Sequence, residues 1–353
     1  MKKIFFSIIA LATIVACSKS EVAYEASAEI ALAPVVKNVT KGAMEPGQLD
    51  ENLTLGVWAD WTHDITEGYF QNASFAYDGN VKAWTASNTS CPWPINGTLS
   101  FAGYTRFEND AKVVSYSDGK FTFEDYTQAR GFDLCWFNTG EGINNRNSGD
   151  PVDVTLTHAL SWLTFEVKGG AGTEGWIITS IELNDIANQG TGECDENGEA
   201  AWTCVTYNTD MPLLSNNLEL TGEFQDIEGG AKNIVVIPQP INPGGSQSEA
   251  RTQHTLTINY RTIHKNSAGD VILTEDVSKS INLDISKELT ENKWEPGIHY
   301  TYELTFSPKE ILVSTELDKW GRNDGNNEIE EEGSEEDKFT GTTGEVNKSD
   351  GVN

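Results

Sequence analysis

The sequence predicts an all-β protein built from β-sandwiches, and three observations carry that prediction. Apolar and polar residues alternate at a period of two, Gly, Asn and Asp punctuate the chain roughly every dozen residues, and no apolar stripe at helical spacing lasts three turns. Taken in order, Leu53-Thr54-Leu55-Gly56-Val57-Trp58 reads as a strand. Phe75 and Tyr77 lead into the turn signal Asp78-Gly79. Val114 and Tyr116 are joined to Phe121 and Phe123 by Ser117-Asp118-Gly119-Lys120, a two-residue hairpin signal. Thr157-His158-Ala159-Leu160 enters a strand over Leu163 to Lys168, and Gly169-Gly170-Ala171-Gly172 then marks a boundary. Beyond it, Leu256, Ile258 and Tyr260 alternate, as do Ile281, Leu283 and Ile285. The pattern is clearest in His299 to Phe306, where Tyr300, Tyr302, Leu304 and Phe306 face one side and His299, Thr301, Glu303 and Thr305 the other, the mark of a half-buried antiparallel strand.

Lys2 and Lys3 precede an apolar run from Ile4 to Val15, and small residues lead to Cys17. That order predicts a lipoprotein signal peptide over residues 1–16, cut before Cys17, which then carries acyl chains. Several such chains hold a protein to a membrane at about 0.8 kcal/mol per buried methylene. An ordinary cleaved secretory signal is the alternative. The mature protein is thus expected to be a cell-envelope protein, tethered through lipid and otherwise soluble.

The chain of 353 residues is long enough for two domains. The expected divisions are a tether over 17–40, a first sandwich over 41–168, a second over 169–320 and a tail over 321–353. A net charge of -30 argues against nucleic acid or anionic lipid surfaces as partners, because phosphate recognition needs clustered Lys and Arg. Part of that charge is the acid block from Glu328 to Asp337, in a tail too poor in apolar residues to order itself.

With Cys17 assigned to lipid, Cys91, Cys135, Cys194 and Cys204 remain. An even number in an exported protein predicts two disulfides, and proximity favours Cys194 with Cys204, leaving Cys91 with Cys135. Buried thiols are the other reading. No CxxC pair is present, so neither metal binding nor thiol redox chemistry is expected.

No catalytic grouping emerges. The five histidines, at 63, 158, 254, 264 and 299, form no HExxH, and there is no GxSxG elbow or P-loop. Gly170-x-Gly172-x-x-Gly175 has the form of a dinucleotide fingerprint, but Trp176-Ile177-Ile178 continues as strand where a helix would have to receive the pyrophosphate. Asp195-x-Asn197-x-Glu199 lacks the glycine and distal glutamate of a calcium loop and reads as a solvated turn. Trp58, Trp61, Trp84 and Trp93 suit a sandwich core better than a sugar-stacking platform. No enzyme activity, cofactor or metal is expected.

Several segments together resemble the fimbrillin family of lipoprotein pilins. They are the lipobox at Cys17, Thr157 to Val167, Ile177 to Leu183, Val235-Val236-Ile237-Pro238-Gln239, and Trp294 to Pro308. The resemblance implies two tandem transthyretin-like β-sandwiches, export to the outer membrane surface and assembly into fimbriae with other subunits. It also implies removal of an N-terminal strand by a protease and its replacement by a strand from a neighbour. Ile30, Leu32 and Val36 match the removable strand, with cleavage after Lys37 or, preferably, Lys41. Ile311, Val313, Thr315 and Leu317 match a donated strand, although they could equally complete the second sandwich. A host or bacterial surface ligand is implied for an adhesive subunit. From a different class, a surface glycan-binding lipoprotein using Trp58 and Trp84 would share the anchor and the β-fold.

Overall fold

The structure is a computed structural model that describes residues 28–36, 47–48, 50–106, 113–128, 131–140, 142–145, 149–195, 198–204, 207–214, 216–227, 234–241, 254–283 and 293–319. Cys17, Lys37, Lys41, the leader and the acidic tail lie outside the described residues. The first half contributes β1 (Ala31–Val36), β2 (Gly47–Gln48), β3 (Thr54–Thr62), β4 (Thr66–Asp78), β5 (Ala83–Ala86), β6 (Thr98–Arg106), β7 (Val113–Ser117), β8 (Lys120–Thr127), β9 (Cys135–Asn138) and β10 (Val152–His158). The second contributes β11 (Ser161–Gly169), β12 (Ile177–Ala187), β13 (Gln189–Cys194), β14 (Ala200–Cys204), β15 (Tyr207–Pro212), β16 (Leu218–Glu219), β17 (Gln225–Asp226), β18 (Ile234–Val236), β19 (Thr255–Lys265), β20 (Val271–Asn282), β21 (Ile298–Phe306) and β22 (Ile311–Lys319). No helix occurs among the described residues, so the protein is all-β as the alternation predicts.

The hairpin β7–β8 turns at Asp118 and Gly119, both at positive φ (51° and 76°) with Ser117 opposite Lys120, the primed turn the sequence signals. The Asp78-Gly79 signal produces a wider loop, because Asp78 pairs with Ala83. Asp78 Oδ1 accepts from the Asn80 backbone and side-chain N–H groups at 2.8 and 3.0 Å and so shapes the turn.

Four sheets result. In the first half the order β10-β9-β6-β3-β4-β5-β1-β2 is closed by a further β10–β1 pairing, so β1 joins the two ends of the sheet. Its interior holds Leu55, Val57, Phe75, Trp84, Trp93, Phe101, Val154 and Leu156. In the second half β17-β11-β21-β22 packs on β15-β12-β19-β20, burying Phe165, Ile181, Leu183, Leu256, Ile258, Trp294, Tyr302 and Leu304 between them. The fourth sheet, β14-β13-β8-β7, draws strands from both sides of the 168/169 boundary. It encloses a third core with Trp58, Tyr104, Phe121, Phe123, Trp136, Trp162 and Ile237. The glycine run at 169–172 ends β11 without isolating two halves of the fold.

Gln239, in a segment the sequence reading singled out only by resemblance, is 2% exposed and acts as a clip. Its Nε2 donates to the carbonyls of Ala187 and Ile237 at 3.0 and 2.8 Å, while its Oε1 accepts from the Ala187 N–H at 2.7 Å. Both polar ends of the side chain are thereby satisfied in the core.

The β21 alternation holds except at His299, which is buried on the side expected to be polar. Its ring lies on Trp162, with centroids 3.5 Å apart and planes 12° apart, and its Nε2 is 2.8 Å from Thr164 Oγ1. Burial pushes the imidazole down to a pKa of about 4. Since an unfolded chain protonates histidine near pH 6.5, the unfolded state binds more protons between about pH 6.5 and 4, so stability must fall as pH drops through that window. The loss expected from this group is about 3 kcal/mol at pH 4. Burial lowers His254 as well, which adds in the same direction. Urea midpoints measured from pH 7 to 4.5 should decline, and His299→Gln should flatten that decline. An unchanged pH profile in His299→Gln would contradict the assignment.

The four cysteines correct the disulfide expectation, since no disulfide joins them in the structure. Cys194 faces Ala200 and Cys204 faces Gly190, at opposite ends of the β13–β14 hairpin. Four residues of strand separate them, about 13 Å, against the 7 Å limit for bridging Cα atoms. Cys91 lies beside Ile30 just before β1, whereas Cys135 pairs with His158 at the far end of β10. Proximity in sequence is no guide here, because a hairpin brings together its opposing residues and spreads its two ends apart.

Candidate functional site: the first strand and its groove

Strand β1 comes from the alternation Ile30, Leu32, Val36, and it is held on both edges. It runs parallel to β10, from Leu32 opposite Val152 to Val36 opposite Leu156. On its other edge Ala31 and Leu32 pair with Thr85 and Trp84 of β5, and Val35 and Val36 pair with β2. Pro34, which has no N–H to give a ladder, falls in the gap between those two partners. Ile30 and Leu32 are 0% exposed and Val36 1%, each filling the interior of the closed sheet. Burial of each contributes about 1.5–3 kcal/mol.

The approach to β1 is latched. Cys91 N–H donates to Glu29 Oε2 at 2.8 Å, and Ser90 Oγ also donates to the Glu29 carboxylate. The Ile30 N–H reaches the Cys91 carbonyl and the Trp93 N–H reaches the Ala28 carbonyl, both at 2.9 Å. Removing β1 would leave a continuous apolar trough between β10 and β5, floored by Leu55, Val57, Phe75 and Trp84.

Ile311, Val313, Thr315 and Leu317 lie on β22, an edge strand paired only with β21 among the described residues. They therefore complete the chain's own second sandwich. The hold is shallow: Leu312 and Val313 are 49% and 36% exposed, and only Ile311 and Leu317 pack against the core. The sheet beneath also carries Glu166 directly opposite both Asp226 and Glu303. Partial burial, reinforced by Asp226, Glu303 and Glu316, raises the Glu166 carboxyl above its ordinary range. Like charges facing one another across strands weaken their pairing. Opposite β22, the exposed edge β20 bears Val271, Ile272 and Leu273 at 55%, 66% and 48% exposure. A cavity of about 440 Å³ opens between these edges, lined by Trp176, Tyr260, Val277, Pro308 and Ile311 among others.

Trp58, Trp84 and Trp93 are 7%, 0% and 1% exposed and belong to the cores. Trp84 donates its indole N–H to the Leu53 carbonyl at 2.9 Å. A sugar-stacking platform built on Trp58 and Trp84 is incompatible with that burial. Gly170 to Gly175 form a turn that leads directly into β12, a strand where a nucleotide site would need a helix. Asp195 and Glu199 close the β13–β14 turn, with the Glu199 N–H on Asp195 Oδ1 at 3.0 Å. Asp133, Cys135 and His158, assigned no joint role from sequence, converge in the core, because β9 and β10 place Cys135 opposite His158. Only the Asp133-x-Cys135 alternation was visible beforehand. Its partner lies on another strand.

The described residues thus form a closed all-β sheet that includes its own first strand, followed by a sandwich that ends in an exposed edge strand. The fimbrillin-like family model matches residues 40–320, and the chain belongs to that family. It is a fimbrial protein of the cell surface. Among solved structures, a fimbrial protein from Bacteroides vulgatus aligns with a TM-score of 0.56 at 16% identity, covering 82% of this chain and 99% of that one. A candidate cell adhesion protein from Bacteroides ovatus aligns with a TM-score of 0.52 at 14% identity, covering 84% and 98%. At these identities the likeness is one of fold. No curated protein matches the chain.

Proposed function

We propose that the chain is a structural or adhesive subunit of surface fimbriae, exported as an outer-membrane lipoprotein through Cys17 and assembled by strand exchange. A protease cuts after Lys41, β1 leaves, and a strand from a neighbouring subunit fills the trough between β10 and β5. The chain's own donor is β22, with Ile311, Val313, Thr315 and Leu317 as its alternating positions. A closed sheet near the start of the fold and an exposed edge strand at its end suit a subunit that accepts one strand and gives another.

The observation that carries this reading is the position of β1. It closes a sheet, has paired neighbours on both edges and lies where three aliphatic side chains are buried. An unpaired edge beside an unfilled apolar trough is costly until a complementary strand supplies ladder hydrogen bonds and side chains. Cleavage between β1 and β2 would create that state.

Mass spectrometry of the protein in intact envelopes tests the proposal. Polymerised subunits should begin after Lys41, and a crosslink should join the β22 segment of one subunit to the trough of the next. Polymers whose subunits all retain Cys17 and β1 would refute it.

A further inference from the structure

Away from the strand-exchange trough, three side chains of different chemistry meet at one point in the core. Cys135, the first residue of β9, stands opposite His158, the last residue of β10. Asp133, two residues before Cys135, follows the same alternation. Its Oδ2 lies 2.7 Å from His158 Nδ1, and Cys135 Sγ lies 3.3 Å from that same nitrogen. One ligand atom from each of the three falls within 4.8 Å of the others. The His158 side chain is 0% and the Asp133 side chain 5% exposed, and Cys135 is wholly buried. Thr105 fixes the backbone beneath them: its Oγ1 accepts from the Cys135 N–H at 2.8 Å and lies 3.0 Å from the Asp133 carbonyl.

An ion pair between histidine and aspartate does not account for this grouping. The single Nδ1 proton serves Asp133 Oδ2, and the Cys135 thiol can hydrogen-bond the same carboxylate, yet one carboxylate oxygen is still left over. Asp133 Oδ1, with no hydrogen-bond partner, is an orphaned acceptor in the core, where an unsatisfied carboxylate oxygen is costly. A cation in place of the shared protons would satisfy all three groups.

We propose that Asp133, Cys135 and His158 bind a thiophilic divalent cation, with zinc as the fitting ion. One thiolate, one imidazole and one carboxylate make a donor set that suits zinc and excludes magnesium and calcium, which take oxygen ligands. The thiolate and carboxylate charges balance the ion. A tetrahedral ion has a fourth position, open to water or to the second Asp133 oxygen. His158 also lines a cavity of about 200 Å³ together with Glu199 and Glu295, an acidic route by which a cation can enter. Binding breaks the S–H bond, forms the sulfur–metal bond and releases the proton to solvent, which makes affinity rise with pH. Strands β9 and β10 are paired at only two positions, Thr157 with Trp136 and His158 with Cys135, and the ion would pin them together.

The test is cobalt(II) titration of the metal-stripped full chain. One equivalent should produce a thiolate-to-cobalt charge-transfer band and the intense visible bands of a four-coordinate ion, both erased by added zinc. Cys135→Ser should abolish the charge-transfer band, while Cys91→Ser, Cys194→Ser and Cys204→Ser leave it intact. Asp133→Asn and His158→Gln should each weaken zinc binding by at least about 10-fold, with circular dichroism confirming that they fold. Folded protein that shows no thiolate band with excess cobalt, or that keeps the band in Cys135→Ser, overturns the proposal. The site does not depend on strand exchange, so neither result bears on that reading.

Discussion

Replacing Trp294 with alanine is expected to lower the stability of the second sandwich by about 3–5 kcal/mol. Trp294 is 0% exposed and lies at the centre of the core between the two second-half sheets. Its ring stacks on His254 with centroids 5.3 Å apart, and its Nε1 donates to the Tyr302 hydroxyl at 2.8 Å. Truncation therefore opens a cavity and removes the donor from a fully buried hydroxyl. Trp294→Phe separates the two effects, since it retains most of the volume and loses the hydrogen bond, at a cost of about 1–3 kcal/mol. Urea unfolding of both variants gives the comparison. A midpoint for Trp294→Ala within error of the parent would show that the sandwich does not depend on this residue.

Deleting residues 28–36 is expected to convert the protein into a self-associating species. The trough between β10 and β5 then exposes Leu55, Val57, Phe75 and Trp84, together with two unpaired strand edges. Apolar surface that three aliphatic side chains covered, each contributing about 1.5–3 kcal/mol, is left for another strand to cover. Light scattering should report oligomers from the truncated chain and monomers from the full one. A synthetic peptide of residues 28–36 should return the truncated chain to monomers, and the same peptide carrying Leu32→Asp should fail, because it places an unpaired carboxylate in the core. A truncated chain that stays monomeric and folded, with no binding of apolar dye, would remove the physical basis for strand exchange.

The β architecture was legible in the sequence because strand periodicity is local. Tyr300, Tyr302, Leu304 and Phe306 alternate whatever they pack against, and Asp118-Gly119 turns a hairpin by its own backbone preferences. Ile30, Leu32 and Val36 were recognisable as a strand for the same reason. The disulfide expectation failed because pairing of cysteines depends on where strand ends lie in space. Cys194 and Cys204 are near in sequence yet at opposite ends of one hairpin. His299 was placed on the polar side by alternation, but the parallel β11–β21 pairing sets it on Trp162.

What the sequence determined by itself, then, is the all-β class, the turns and the family, since each rests on contacts between near neighbours or on ordered segments. Tertiary structure alone decided that β1 closes the first sheet against β10, that β8 and β13 share a sheet across the expected boundary, and that Asp133, Cys135 and His158 meet. Each of these joins residues far apart along the chain. Ladder pairing between strands of similar alternation is degenerate in sequence, and it is resolved only when whole sheets pack and bury their faces together.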